Sequence, residues 1–171
     1  MKTTVITFAA LSLSLTAFMK TPTTTEKPVA ITSDQMAERV VAALRQSSAQ
    51  QYADLFPALS DFHAVMEESA DVYGNSLQEA QSEFGRTYQA TLVPSVKASF
   101  ESLIARGKEK GIDWRSVRYV GIELAETAGN RFGAVPVTIV FASDGKEFRL
   151  RMDNAMVFNG QWKVSQFIRL V

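Results

Sequence analysis

From Met36 to Ile104 the apolar residues of this chain recur every third or fourth position, and from Val117 onward they recur every second one. No other feature constrains the fold as much, because a helix returns to the same face after about 3.6 residues and a strand after two. Helices first and strands last imply an α+β domain, with N-terminal helices packed on one face of a C-terminal four-stranded antiparallel meander sheet. The 171 residues, 46% of them hydrophobic, suffice for one core of ordinary size; two domains would be cramped.

In the first half, Thr32, Ser33 and Asp34 offer caps to a helix carrying Met36, Val40, Val41 and Leu44 and ending near Gln46. A short turn with Tyr52, Leu55 and Phe56 stops at Pro57. Ser60 can cap a third helix with Phe62, Val65, Met66, Ser69, Val72 and Tyr73 on one face, ended by Gly74. Leu77, Phe84, Tyr88 and Leu92 describe a long helix, and Pro94 predicts a kink or a new helix. Val96, Phe100, Leu103 and Ile104 continue the apolar face to Gly111.

In the second half the turns set the register. Asp144-Gly145 pairs Phe141 with Phe148, Ile139 with Leu150, Val137 with Met152 and Val135 with Asn154. A Gly129-Asn130 turn pairs Leu124 with Val135, Ile122 with Val137 and Val120 with Ile139. For the last hairpin a two-residue Asn159-Gly160 turn mixes the faces of both strands. A three-residue loop, Asn159 to Gln161, instead sets Phe158 against Trp162, Met156 against Val164, Asn154 against Gln166 and Met152 against Ile168. Strands are expected near 117–128, 131–142, 147–158 and 162–170. Pro136, lacking an amide hydrogen in an interior strand, predicts a bulge nearby.

On this register the inner face has two central polar residues, Asn154 and Gln166, directly opposite each other, with Glu126 one pair further toward the Gly129-Asn130 tip. A buried unpaired amide costs ~1–3 kcal/mol, so both should bond each other, water or a ligand. The functional reading is a pocket between sheet and helices, walled by Trp162, Met156, Met152 and Tyr88, in which Asn154, Gln166 and Glu126 orient a ligand. The plainer reading is a buried amide pair, with Glu126 reaching solvent. Outward, Tyr119, Val140, Val157 and Phe167 leave room for a homodimer through the outer sheet face.

Composition narrows the chemistry. The absence of cysteine removes disulfides, zinc–thiolate sites, iron–sulfur clusters and thiol nucleophiles together. Eighteen basic and eighteen acidic residues cancel, which disfavours nucleic acid or an anionic membrane as partner. His63, the only histidine, has no Ser, Cys or Asp partner at useful spacing, and Glu67, Glu68 and Asp71 read as the solvated side of a helix rather than a cation site. No catalytic residue, metal or cofactor is indicated.

Lys2 followed by the mostly apolar run Val5 to Phe18 reads as a signal peptide over residues 1–19, or an uncleaved anchor. At fourteen residues that run is short for a bilayer span. With no cysteine near residue 20, the expectation is an exported protein, periplasmic or secreted, that is not a lipoprotein. Residues 20–30, rich in Thr and Pro, read as a flexible linker, and residues 31–171 as the folded domain.

Helices followed by a meander that closes with VFNGQWKVSQF, Val157 to Phe167, resemble the nuclear-transport-factor-2-like, or cystatin-like cone, superfamily, and exported bacterial members of unknown function most. The resemblance runs from Ile31 to Val171, and its most specific piece is Gly160-Gln161-Trp162-Lys163-Val164. An early hairpin, common in that superfamily, is missing between the short second helix and the long one. The resemblance implies a cone-shaped sheet, and its enzymes use Asp, His or Tyr inside the cone. On the inward strand positions here the ionisable groups are Glu126 and, near the ends, Arg118 and Arg131. The expected function is therefore noncatalytic binding of a small apolar ligand or an envelope protein, with a cone-type isomerase, cyclase or hydrolase as the alternative.

Overall fold

The computed structural model describes residues 31–125 and 134–171. The expected signal segment and linker, Glu126, the Gly129-Asn130 turn and Arg131 lie outside the described residues. Helix α1 (Ser33–Arg45) starts from a reciprocal cap in which Thr32 Oγ1 accepts the Gln35 N–H at 3.2 Å and Gln35 Oε1 accepts the Thr32 N–H at 3.0 Å. Ser48 Oγ caps α2 (Ala49–Ala53) by accepting the Gln51 N–H at 3.2 Å. Helix α3 (Leu59–Glu68) begins one residue before the expected Ser60 cap; Asp61 does the work by reaching back to the Ala58 N–H at 2.8 Å. Beyond Ser69 come α4 (Ala70–Tyr73) and, after a 3-10 turn, α5 (Leu77–Thr87).

A new α-helix starts beside Pro94, as expected, with the proline in its first turn. A π turn over Tyr88–Leu92 leads into α6 (Val93–Glu109), and the Val93 N–H bonds back to the Tyr88 carbonyl. The wider turn accommodates a residue that lacks an amide hydrogen.

Strands β1 (Arg118–Leu124), β2 (Val135–Ser143), β3 (Lys146–Phe158) and β4 (Gln161–Val164) follow in meander order, all antiparallel. Two further residues, β5 (Arg169–Leu170), pair with β3 along the edge that β4 occupies. The expected last strand, 162–170, is thus split in two. The molecule is α+β, with helices in its N-terminal half and a curled four-stranded antiparallel sheet in its C-terminal part.

The β2–β3 register agrees with expectation from Ser143 back to Val137, including Phe141 with Phe148, Ile139 with Leu150 and Val137 with Met152. Opposite Pro136 it slips. Val135 pairs with Ala155 rather than Asn154, so Asp153 and Asn154 together face the proline. This is the bulge that Pro136 predicts, and it lies in the partner strand. Past an extra residue every side chain changes face. The Asn159-Gly160 hairpin therefore uses the two-residue turn, with φ of 49° and 75°, and sets Val157 against Trp162 and Met156 against Lys163. Both expected pairings, Phe158 with Trp162 and Met156 with Val164, are corrected by that one insertion.

Strand β1 carries a second irregularity, between Tyr119 and Gly121. Ile122 pairs with Ile139 and Leu124 with Val137, two residues from the expected register but on the same face. Tyr119 pairs with Phe141 and turns inward rather than outward, where its hydroxyl donates to Asp34 Oδ1 at 2.9 Å and ties β1 to α1. Val140 is buried, while Val157 and Phe167 are half exposed. Of the four residues expected on the outer face, Val157 and Phe167 are thus the exposed ones.

The core lies between the sheet and α1, α2 and α6: Met36, Val40, Leu44, Tyr52, Phe100 and Leu103 meet Val137, Ile139, Phe141, Leu150, Met152 and Val164. Trp114 fastens α6 to this core. Its indole lies against Gly107, donates from Nε1 to the Ile104 carbonyl at 2.9 Å and stacks on Phe141 at 5.7 Å. A Cβ on Gly107 would fall inside the indole ring. By contrast α3, α4 and α5 contribute no buried residue among those described.

Gly107→Ala should destabilise the protein by about 1–3 kcal/mol through overpacking, whereas Gly85→Ala, whose Cβ would meet only Leu59 Cδ2 at 3.6 Å, should stabilise α5 by about 0.5–1 kcal/mol. Denaturant melts of the two variants check both signs. Burial, then the bond to Asp34, pushes the Tyr119 phenol up to about 12. A raised phenol stabilises the fold fully below its unfolded value, near 10, and loses that contribution as pH rises through about 12. Stability should fall over that window. Tyr119→Phe should flatten the fall without abolishing it, because burial also raises Tyr52 and Tyr88.

Candidate functional site

The bulge that corrects the register also borders a cleft. Ala155 takes the inward place opposite Val164, and both are fully buried. Asn154, Met156 and Phe158 fall on the other alternation and line a cleft of ≈ 690 Å³ together with Phe62, Val65 and Glu68 of α3. Pro57 and Ala134 complete its apolar wall; Ser165 and Gln166, in the gap between β4 and β5, add polar groups.

The walls are held by aromatic contacts outside the core. The Phe62 ring lies 4.9 Å from Phe84, 6.0 Å from Tyr88 and 5.8 Å from Phe158, centre to centre. Tyr88 donates its hydroxyl to the Pro57 carbonyl at 3.0 Å, and its phenol is pushed up by burial and then by the Asp61 charge. Asp61, already bonded at the start of α3, also accepts from Asn159 Nδ2 at 3.4 Å at the hairpin tip. One carboxylate therefore orders both rims.

Asn154 and Gln166 do not face each other across a ladder. The residue on β4 nearest that position is Val164, paired with Ala155, and Gln166 is exposed in the interrupted segment. The corner is closed instead by Ser165, whose N–H and Oγ both donate to the Asn154 carbonyl, at 3.3 and 2.7 Å. Both carboxamide side chains still line the same cleft, and neither is hydrogen-bonded to a described residue.

Of the other residues expected at a pocket, Met156 lines the cleft; Met152 is fully buried in the core. Trp162 packs against the core, with its N–H bonded to the Ile31 carbonyl at 3.0 Å. Tyr88 stands behind Phe62, supporting the wall rather than forming it. Glu126 lies outside the described residues. Phe62, Val65, Phe158 and Ser165 belong to the cleft although sequence reasoning assigned the first three to apolar faces and gave Ser165 no role. Pro136 is the signal for Phe158, because a bulge beside it exchanges the faces of the last hairpin, whereas nothing in the sequence pattern marks Phe62 or Val65 of α3 as lining.

The remaining polar clusters have structural explanations. Arg149 makes a bidentate pair with Glu123 at 2.7 and 2.8 Å, and Asp153 at the bulge binds both Arg151 and Arg169, at 3.2 and 2.7 Å. His63 is half buried, and its Nε2 is shielded from solvent without a hydrogen-bond partner. Among the described residues no group of three or more His, Asp or Glu is placed to hold a metal ion, and no helix is long and apolar enough to cross a membrane. No protein-family model, curated protein or solved structure matches the chain. The fold itself therefore defines the class: an α+β domain whose curled antiparallel sheet carries a cleft at the far end of its third strand.

If the two carboxamides are not a pair, Asn154→Leu and Gln166→Leu should change stability additively to within about 0.5 kcal/mol. A double-mutant cycle by urea unfolding measures this; a coupling above about 1 kcal/mol would restore the facing pair. Gln166→Leu alone should be nearly neutral, because the side chain is exposed.

Proposed function

We propose that this is an exported, noncatalytic member of the cystatin-like cone superfamily that binds a small apolar ligand in the cleft between α3 and the end of β3. The observation that carries the reading is the cleft itself. Its volume of ≈ 690 Å³ is within the usual range for small-molecule sites, and its walls are apolar side chains that the core does not use. Val65 and Val157, both on the lining, are 47% and 51% exposed, an apolar surface that a bound molecule would cover.

Binding is favoured over turnover by the polar groups present. Proton abstraction requires a positioned base and a donor to the developing oxyanion. Among the described lining residues the one ionisable side chain is Glu68, exposed at the end of α3. The carboxamides and hydroxyl opposite it can orient a ligand at ordinary pH without exchanging protons. Export rests on the Lys2 and Val5–Phe18 pattern.

An environment-sensitive naphthylamine dye should bind at one equivalent with a blue-shifted emission. Val65→Glu, a change at a half-exposed position, should weaken it about tenfold while leaving the melting temperature within a few degrees. Unchanged dye affinity in that variant would place binding elsewhere and overturn the cleft as the site. Native mass spectrometry of protein purified from its own host should then show an adduct lost on mild activation.

A further inference from the structure

The polar end of the cleft carries information about its occupant. Asn154 projects from the β3 bulge and Gln166 from the break between β4 and β5, so two primary carboxamides from separate chain segments border one space. The Asn154 carbonyl of the main chain is taken by Ser165, which fixes the corner and leaves the side-chain amide unengaged by any described residue. Each carboxamide offers an N–H donor pair and a carbonyl acceptor side by side. A ligand group that presents a donor beside an acceptor matches that pattern.

Charge narrows this further. No Lys or Arg is among the described residues that line the cleft, and the charged one is the anion Glu68. The nearby arginines of the outer sheet face are already paired, Arg149 with Glu123 and both Arg151 and Arg169 with Asp153. A carboxylate or phosphate headgroup would use only the N–H donors of the two carboxamides, leave both carbonyls unmatched and lie beside Glu68, with no cation among the described lining residues to offset its desolvation. Phe62, Val65, Met156 and Phe158 form the apolar part of the wall, while Asn159, a third carboxamide on the lining, already donates to Asp61.

We infer that the ligand is an uncharged carboxamide bearing an apolar tail, its amide paired with Asn154 and Gln166 and its tail lying along Phe62, Met156 and Phe158. This rests on the reading of the cleft as a ligand site and adds to it the chemistry of the headgroup.

The experiment compares octanamide with octanoate, equal in tail and differing in headgroup charge, by displacement of the naphthylamine dye from the full chain at neutral pH. Octanamide should bind about tenfold more tightly, and the Asn154→Leu/Gln166→Leu variant should lose that preference while still binding the dye. Gln166→Leu alone, at an exposed position, should reduce the preference and serves if the double variant folds poorly. Equal affinity for the two compounds, or tighter octanoate, would overturn the carboxamide assignment yet leave the cleft as a binding site. Failure of dye and both compounds to bind would overturn the assignment and the cleft reading together.

Discussion

Pro136 withholds one amide hydrogen from the middle of a paired strand, and β3 responds by placing Asp153 and Asn154 where a regular ladder would place one residue. Much of what is particular to this molecule follows from that accommodation. Val135 meets Ala155, the last hairpin closes through a two-residue turn, and the fourth strand cannot run unbroken alongside a bulged neighbour. The break at 165–168 is the same extra residue seen from the other edge of β3. Ser165 closes it by donating twice to the Asn154 carbonyl, so the defect is hydrogen-bonded rather than left open.

The fold has two layers of unequal density. Helices α1, α2 and α6 press buried side chains against the inner sheet face, with Trp114 seated on the bare backbone of Gly107. Helices α3 to α5 bury none of their described residues completely and are held by ring contacts among Phe62, Phe84, Tyr88 and Phe158, together with Asp61. A cleft forms at the junction because the bulge turns Met156 and Phe158 out of the dense layer and toward the sparse one. Phe62, Val65, Met156 and Phe158 on its lining stand outside the buried core cluster.

Charge follows the same division. On the outer sheet face Arg151 and Arg169 lie directly opposite each other, an unfavourable pairing that Asp153 relieves from its place in the bulge. That leaves Asn154, the second bulge residue, as the neutral side chain toward the cleft. Among the described residues lining the cleft, Glu68 is the charged one.

The fold class, the helical and strand halves, the strand order and the β2–β3 register from Val137 to Ser143 were legible in the residues, because periodicity and the Asp144-Gly145 turn act locally. The bulge was legible too, from Pro136. Its consequence is not local: a regular ladder rejects the Asn159-Gly160 turn for mixing faces and pairs Asn154 with Gln166, whereas the inserted residue exchanges those faces. Asn154, Gln166 and Met156 nonetheless come together at one cleft, whereas Met152 and Trp162 belong to the core. Alternation is a relative signal, so one inserted residue inverts everything beyond it. By itself the sequence determined which segments are helix and which are strand, and where the ladder had to be disturbed. Only the tertiary structure decided which strand absorbed the disturbance and which faces exchanged, because that choice minimises the unpaired backbone and exposed apolar surface of three strands at once, a sum that no single segment contains.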